Sequence, residues 1–146
     1  MNMSIEKVTE PTEELYLALQ SLIPQLGAHK VKPTWDEFSA LVKSEASLLL
    51  AAHDSEESNQ IVGILCLTIY RVPTGMRSII EDVIVDEKMR GKGIGKALVR
   101  HAIEIAREAG ASGISLTSNP QREAANQLYR SMGFELRKTN PYFYKL

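Results

Sequence analysis

Four carboxylates, three glycines and four cations fall within one short stretch of the chain, Glu81 to Lys96. Glu81 and Asp82 interrupt an apolar run that continues through Val83, Ile84 and Val85. Gly91, Gly93 and Gly95 alternate with Lys92 and Ile94, between Arg90 and Lys96. The pattern reads as a strand, a glycine-rich turn and a helix. Without β-carbons, the amides of the turn stay open to a ligand. The first N–H groups of a helix have no intrahelical acceptor, and the macrodipole adds positive potential there. With Arg90, Lys92 and Lys96 nearby, this is a socket for a phosphate or pyrophosphate. A plain tight turn needs one or two glycines, not three alternating ones flanked by cations.

Two phosphate motifs can be tested against it. A Walker A loop requires Gly-Lys followed by Ser or Thr, but Gly95-Lys96 is followed by Ala97. A dinucleotide fingerprint needs Gly-x-Gly-x-x-Gly; from Gly91 its third glycine falls on Lys96, and from Gly93 on Leu98. Both fail. What remains, Val83-Ile84-Val85 followed by Arg90-Gly91-Lys92-Gly93-Ile94-Gly95, resembles the pyrophosphate-binding motif of the GNAT superfamily of acetyl-CoA-dependent N-acetyltransferases. A second resemblance lies downstream. Ser118-Asn119-Pro120 leads into Ala124-Ala125-Asn126-Gln127-Leu128-Tyr129 and then Met132-Gly133-Phe134. The resemblance covers residues 77–135; the first 45 residues carry none.

That resemblance implies acetyl-CoA as co-substrate, held by Arg90 to Lys96. It implies that main-chain groups of Val83 and Val85 hold the pantetheine arm as an added strand would, with a nearby N–H donating to the thioester oxygen. The valine side chains can pack in the core at the same time. It places a tyrosine, here Tyr129, near the sulfur as general acid; the alternative is a packing role. Asn126, three residues earlier on the same helix, would contact the cofactor arm. Asn119, at a strand end, is a cap or a cofactor contact.

An amine acceptor sets a further requirement. An alkylamine has a pKa of about 10, so roughly one molecule in a thousand is neutral at pH 7. Either a general base helps, or the rare neutral form binds. An acidic pair inside an Ile/Val strand is costly unless a carboxylate faces a cleft. Strict alternation puts Glu81 and Asp82 on opposite faces of the sheet, though a bulge would change that. Glu81 is the favoured base, directly or through water; otherwise it anchors the substrate cation or makes a structural hydrogen bond. Asp82 is read as structural. His29, His53, His101 and Cys66 lack metal-ligand spacing, so no metal is expected. Cys66, inside an apolar run, reads as a small core residue rather than a nucleophile. That favours direct attack in a ternary complex over a covalent acetyl-enzyme. His101 faces outward on its helix, and His29 sits in a loop that could overhang the acceptor.

Composition sets the wider bounds. The 146 residues are expected to form one domain, 1–146, with 44% hydrophobic and 24% charged residues. A net charge of −1 provides no drive toward nucleic acid or an acidic membrane. No basic region followed by an apolar block marks a signal peptide, and no apolar run could span a bilayer, so a cytoplasmic location is expected. The partner expected is a small-molecule or peptide amine.

The elements that must position these residues follow from periodicity. Ser4–Val8 alternates as a first strand. Thr12-Glu13-Glu14 opens a helix with Leu15, Leu19 and Leu22 on one face. Thr34 and Glu37 form a capping box for a second helix. Leu48–Ala52 and Ile61–Tyr70 read as a buried antiparallel pair, joined by an exposed connection over 54–60. Ser78–Val85, a helix from Gly95 to Ala109 and Ile114–Thr117 make a βαβ crossover with one parallel pair. A helix over 122–132 follows. Phe134–Leu136 and Tyr142–Tyr144 are expected as closing strands. The fold class is therefore α/β (α+β): a mixed, mostly antiparallel sheet with helices on both faces. The resemblance adds a splay between the parallel strands, into which acetyl-CoA would enter. Acceptor walls are expected from 24–36, the 71–76 turn and the closing strands. The aromatic end, Asn140 to Tyr144, is an edge needing cover, and a homodimer through it is expected.

Two other readings stay open on sequence grounds: an acyl-CoA-binding sensor without turnover, and a related enzyme using a different acyl-CoA.

Overall fold

The computed structural model describes residues 2–56 and 58–146. Glu57, inside the connection expected over 54–60, lies outside the described residues. The elements run β1 (Met3–Lys7), α1 (Glu13–Leu22), α2 (Trp35–Lys43), β2 (Ser47–Asp54), β3 (Gln60–Val72), β4 (Gly75–Val85), α3 (Ile94–Glu108), β5 (Ile114–Leu116) and α4 (Glu123–Ser131). Short 3₁₀ turns cover Ile23–Leu26 and Glu87–Met89.

The five strands pair in sequence order, antiparallel except for the parallel β4–β5 pair. Both N-terminal helices begin on threonine caps. Thr12 accepts from the Leu15 N–H at 3.2 Å. Thr34 accepts from the Glu37 N–H while Glu37 accepts from the Thr34 N–H, the expected capping box.

The sheet divides two cores. On one face α3 and Tyr129 of α4 cover Leu50, Leu65, Leu67 and Ile80. On the other, α1 and α2 cover Leu49, Ile64 and Ile84. Ile94, Leu98 and Val99 fasten α3 and are almost wholly buried. Each contributes roughly 2 kcal/mol by area removed from water. That outweighs the cost of about 1 kcal/mol for a glycine in the first turn of the helix, here Gly95.

Gly63 on β3 makes this close packing possible. A β-carbon there would lie 3.1 Å from Ile94 Cγ2 and 3.2 Å from both Leu98 Cδ1 and the Ile84 carbonyl oxygen. A glycine inside a continuous apolar strand signals such an approach.

One expectation is corrected. Phe134–Leu136 and Tyr142–Tyr144 are not strands, and every residue from Glu135 to Leu146 is exposed. A strand exists only when paired, and β5 pairs only with β4, leaving its outer edge open. No helix among the described residues is long and apolar enough to cross a membrane.

Candidate active site at the splay of the parallel strands

The parallel pair is short. Ser78, Ile79 and Ile80 of β4 match Ile114, Ser115 and Leu116 of β5. Beyond Ile80, β4 continues to Val85 with a partner only on its β3 side. The strands therefore separate, as expected. Main-chain groups of residues 81–85 on the β5 side are left without a ladder partner, among them those of Val83 and Val85.

The glycine loop stands at the mouth of this gap. Gly91 and Gly93 have φ of 78° and 82°, in the left-handed region that side chains disfavour. A β-carbon at either would meet nothing within 4 Å, so the space over the loop is open. Gly93 is the N-cap of α3, and no side chain caps this helix. The first intrahelical bond runs from the Ala97 N–H to the Gly93 carbonyl at 3.0 Å. The N–H groups of Ile94, Gly95 and Lys96 precede it and face out of the helix end. Arg90 turns back, its Nε donating to the Val85 carbonyl at 3.4 Å, and so ties the loop to the end of β4. Lys92 is exposed, with its Nζ 3.8 Å from Met89 Sδ. This arrangement suits a diphosphate.

Helix α4 closes the gap from the other side. A β-carbon at Gly95 would touch Val85 Cγ2 at 3.6 Å and Leu128 Cδ2 at 3.8 Å, so α3, β4 and α4 meet at this residue. Asn119 and Asn126 come together: Asn126 Nδ2 donates to the carbonyls of Asn119 at 3.0 Å and Arg122 at 2.8 Å. Asn119 Oδ1 accepts from the Gln121 N–H at 3.0 Å. The amide of Asn126 therefore pins the loop after β5 to α4, and Asn119 closes a local turn.

Tyr129 is 9% exposed and belongs to the core on the α3 face. Its ring stands edge-on to Phe134, with centroids 5.8 Å apart. Burial pushes the phenol above its usual pKa, and Arg122 pulls only partly against that. The group therefore stays protonated at neutral pH.

The carboxylates are arranged by a bulge. Asp82 pairs with Cys66 and Ile80 with Leu67, leaving Glu81 as an extra residue in β4. The alternation reverses across it: Ile80 and Val83 serve the α3 core, whereas Ile84 serves the α1/α2 core. Glu81 and Asp82 consequently share the α1/α2 face and are both exposed, in place of the opposite faces that strict alternation predicts. Cys66 records this. Its thiol is pushed up to about 11, by burial first and then by the Asp82 and Glu81 carboxylates. A thiol so raised is protonated at neutral pH and is a poor nucleophile. Glu81 and Tyr129 thus lie on opposite faces of the sheet, with the gap between β4 and β5 joining them.

Ser118 carries no role that its residue type predicts. Its Oγ is buried without a hydrogen-bond partner, two residues beyond β5. A buried hydroxyl lacking a partner is costly, and this one lies where the strands part, as a ligand with polar groups along its length would require. A serine directly after an apolar strand was the available signal. Gln25 also carried none. Its Oε1 accepts from the Glu87 N–H at 2.9 Å, clipping the turn after α1 to the approach of the glycine loop. His29 and His101 are exposed. Among the described residues, no group of three His, Cys, Asp or Glu side chains could hold a metal ion.

Comparison with known proteins agrees with this geometry. A family model described as Acetyltransferase (GNAT) family matches residues 12–134. The chain is 31% identical over 121 residues to a probable glucosamine 6-phosphate N-acetyltransferase 2 of Oryza sativa subsp. japonica, covering 81% of this chain and 70% of that protein. It is 36% identical over 100 residues to rat N-acetyltransferase family 8 member 2, covering 64% and 43%. The chain spans about two-fifths of the length of the rat relatives it matches. Among solved structures, an aminoglycoside acetyltransferase from an uncultured soil metagenomic sample superposes with a TM-score of 0.85 at 20% identity, over 99% of this chain and 95% of that one. At that identity the likeness concerns the fold.

Proposed function

The chain belongs to the GNAT acetyltransferase family, and from that premise we propose that it is an N-acetyltransferase moving the acetyl group of acetyl-CoA to a primary amine by direct attack in a ternary complex. The observation that carries this reading is the uncapped, glycine-lined start of α3 beside the splay of β4 and β5. When bound, acetyl-CoA supplies the activated acetyl carbonyl.

The chain's own groups divide the remaining work. The loop from Arg90 through Gly91, Lys92, Gly93, Ile94 and Gly95 to Lys96 binds the pyrophosphate with backbone N–H groups and cations. Main-chain groups of Val83, Ile84 and Val85 and the Ser118 hydroxyl line the path of the arm, with Asn119 and Asn126 at its far side. A strand N–H polarises the acetyl carbonyl as negative charge develops on its oxygen. Glu81 takes a proton from the ammonium, directly or through water, and the nitrogen lone pair attacks. The C–N bond forms and the C–S bond breaks. Tyr129 delivers its proton to the departing sulfur, and the second proton shed by the nitrogen as the amide forms returns the tyrosine to its phenol form through solvent. The raised pKa values of Tyr129 and Cys66 both support this division, since one keeps an acid protonated and the other silences a competing nucleophile.

A cytoplasmic location belongs to the same proposal: the lone Cys66 and a thioester co-substrate suit a reducing compartment. So does assembly as a homodimer, supported by the exposed aromatic side chains of residues 142–144. The deciding experiment follows CoA release from acetyl-CoA over a library of amines. Amine-dependent release by the wild type and its loss in Glu81→Gln are expected. Binding of acetyl-CoA without release with any amine would leave a sensor.

A further inference from the structure

Between Leu26 and Thr34 the chain carries His29, Lys30 and Lys32 and no acidic residue. All three are exposed, and among the described residues no carboxylate pairs with any of them. The loop that presents them is held at both ends. At its start, Ile23 and Leu26 pack into the α1/α2 core that holds Ile84, and Gln25 accepts from the Glu87 N–H. The Gly27 carbonyl then accepts from the Lys30 N–H at 3.0 Å, closing a turn. At its end, the Pro33 carbonyl accepts from the Tyr16 hydroxyl at 3.3 Å and from Gln20 Nε2 at 3.0 Å. Gly27 has φ of 161°, extended backbone that any residue adopts, so what it provides is space. A β-carbon there would lie 2.9 Å from His29 Cε1. The imidazole is thus seated over the bare backbone of the turn.

The same face carries the opposite charge. Glu81 and Asp82 are exposed on it, and among the described residues neither has a cationic partner. Asp82 stands two residues before Ile84, about 7 Å along β4. A basic loop and an acidic pair therefore border one end of the α1/α2 face without neutralising each other. Unlike charges left apart in this way complement a ligand that carries both. With a net charge of −1 on the whole chain, the basic loop is a local feature and not part of a general basic surface.

We propose that the acceptor is a dipolar amine, with its ammonium at Glu81 and Asp82 and a carboxylate or phosphate at its other end bound by His29, Lys30 and Lys32. This rests on the acetyltransferase reading and names its substrate class. The reaction itself requires the amine end; the loop decides the rest of the molecule. A second ammonium, as in a diamine, would face two lysines of like charge. A neutral tail would leave both lysines unused. The ammonium of a lysine is a compact, rotatable donor, which suits either anion.

The test follows CoA release from acetyl-CoA with amines of matched length and different far groups. One arm compares aminovalerate with aminovaleramide and cadaverine; the other compares phosphoethanolamine with ethanolamine. The two arms separate carboxylate from phosphate. In at least one arm the anionic amine should exceed its neutral analogue by about tenfold or more in kcat/KM, the worth of one charge-assisted contact. Raising the salt from about 20 mM to about 500 mM should erode that preference. In a Lys30→Gln/Lys32→Gln variant the ratio should fall toward one. Equal kcat/KM within both arms overturns the proposal, as does a ratio that the double variant keeps. A rise in KM for acetyl-CoA as large as that for the anionic amine would assign the loop to the cofactor's phosphates and overturn it equally. Absence of CoA release with every amine would sink the enzyme reading and this one with it, whereas release without charge preference sinks this one alone.

Discussion

The Gln25 side chain accepts a hydrogen bond from the Glu87 backbone N–H at 2.9 Å, joining residues 62 positions apart. Gln25 lies in the turn that leads from α1 toward the expected acceptor wall; Glu87 opens the approach to the glycine loop. One bond thus links the expected acceptor wall to the approach of the proposed cofactor loop. Gln25→Leu keeps the bulk and removes the acceptor. The expected result is a rise of several-fold in KM for the amine with kcat near wild type, within the roughly 1 kcal/mol of one hydrogen bond. Unchanged KM values for both substrates would make the bond incidental.

Tyr129→Phe retains the ring and its contact with Phe134 but removes the proton. A fall in kcat of roughly 10²-fold is expected, the usual span for a general acid, with CoA affinity and melting temperature near wild type. Because burial raises the phenol pKa, the alkaline limb of the wild-type kcat profile should lie above the ordinary tyrosine value of about 10. The limb should vanish in the variant. Wild-type turnover by Tyr129→Phe, with chemistry rate-limiting, would reduce the tyrosine to packing.

CoA should raise the melting temperature of the wild type by mass action, and pantetheine without the diphosphate should do so much less. Gly93→Val fills the space over the loop and forces a β-branched residue to φ near 82°. Its stability should drop by roughly 1–2 kcal/mol, and most of the CoA effect should go. Equal CoA stabilisation of both proteins would remove the loop from the binding site.

Gly63→Ala tests what holds the socket in place. The new methyl meets Ile94, Leu98 and the Ile84 carbonyl at 3.1–3.2 Å, so α3 must move away from the sheet. A loss of about 1–3 kcal/mol is expected from overpacking, with weaker CoA binding although the residue touches no ligand. Chemical denaturation and CoA titration measure the two effects; a variant as stable as wild type would show that α3 yields without cost.

His53 should make stability pH-dependent. Burial disfavours its imidazolium, but the Asn59 carbonyl at 3.1 Å, the Glu6 carboxylate at 2.8 Å and the charge of Glu14 outweigh that, and its pKa is raised. A raised histidine contributes stability fully present below its unfolded value of about 6.5 and lost as pH rises through the folded value. Wild type should exceed Glu6→Gln in melting temperature at about pH 5.5, with the gap closing toward about pH 9. A gap that is constant or widens with pH would contradict the assignment, and an NMR titration of the ring gives the pKa directly.

Much of this molecule is local chemistry and was legible in residue order. The Thr34–Glu37 capping box, the glycine spacing at 91, 93 and 95, the apolar face of α3 and the short βαβ crossover each depend on neighbours within a few positions. The same holds for the resemblance carried by Arg90–Gly95 and Asn126–Phe134. Other features are decided by residues far apart. The bulge at Glu81 arises from the register of β4 against β3, which two-fold alternation cannot report, and it alone brings both carboxylates to one face. Tyr129 becomes a core residue because α4 packs where α3 and the end of β4 converge, a contact that helical periodicity does not encode. The segments 134–136 and 142–144 have strand-forming side chains, but a strand takes its hydrogen bonds from a neighbour. Composition supplies the propensity; only the tertiary structure shows that residues 135–146 add no strand to β5 within one chain.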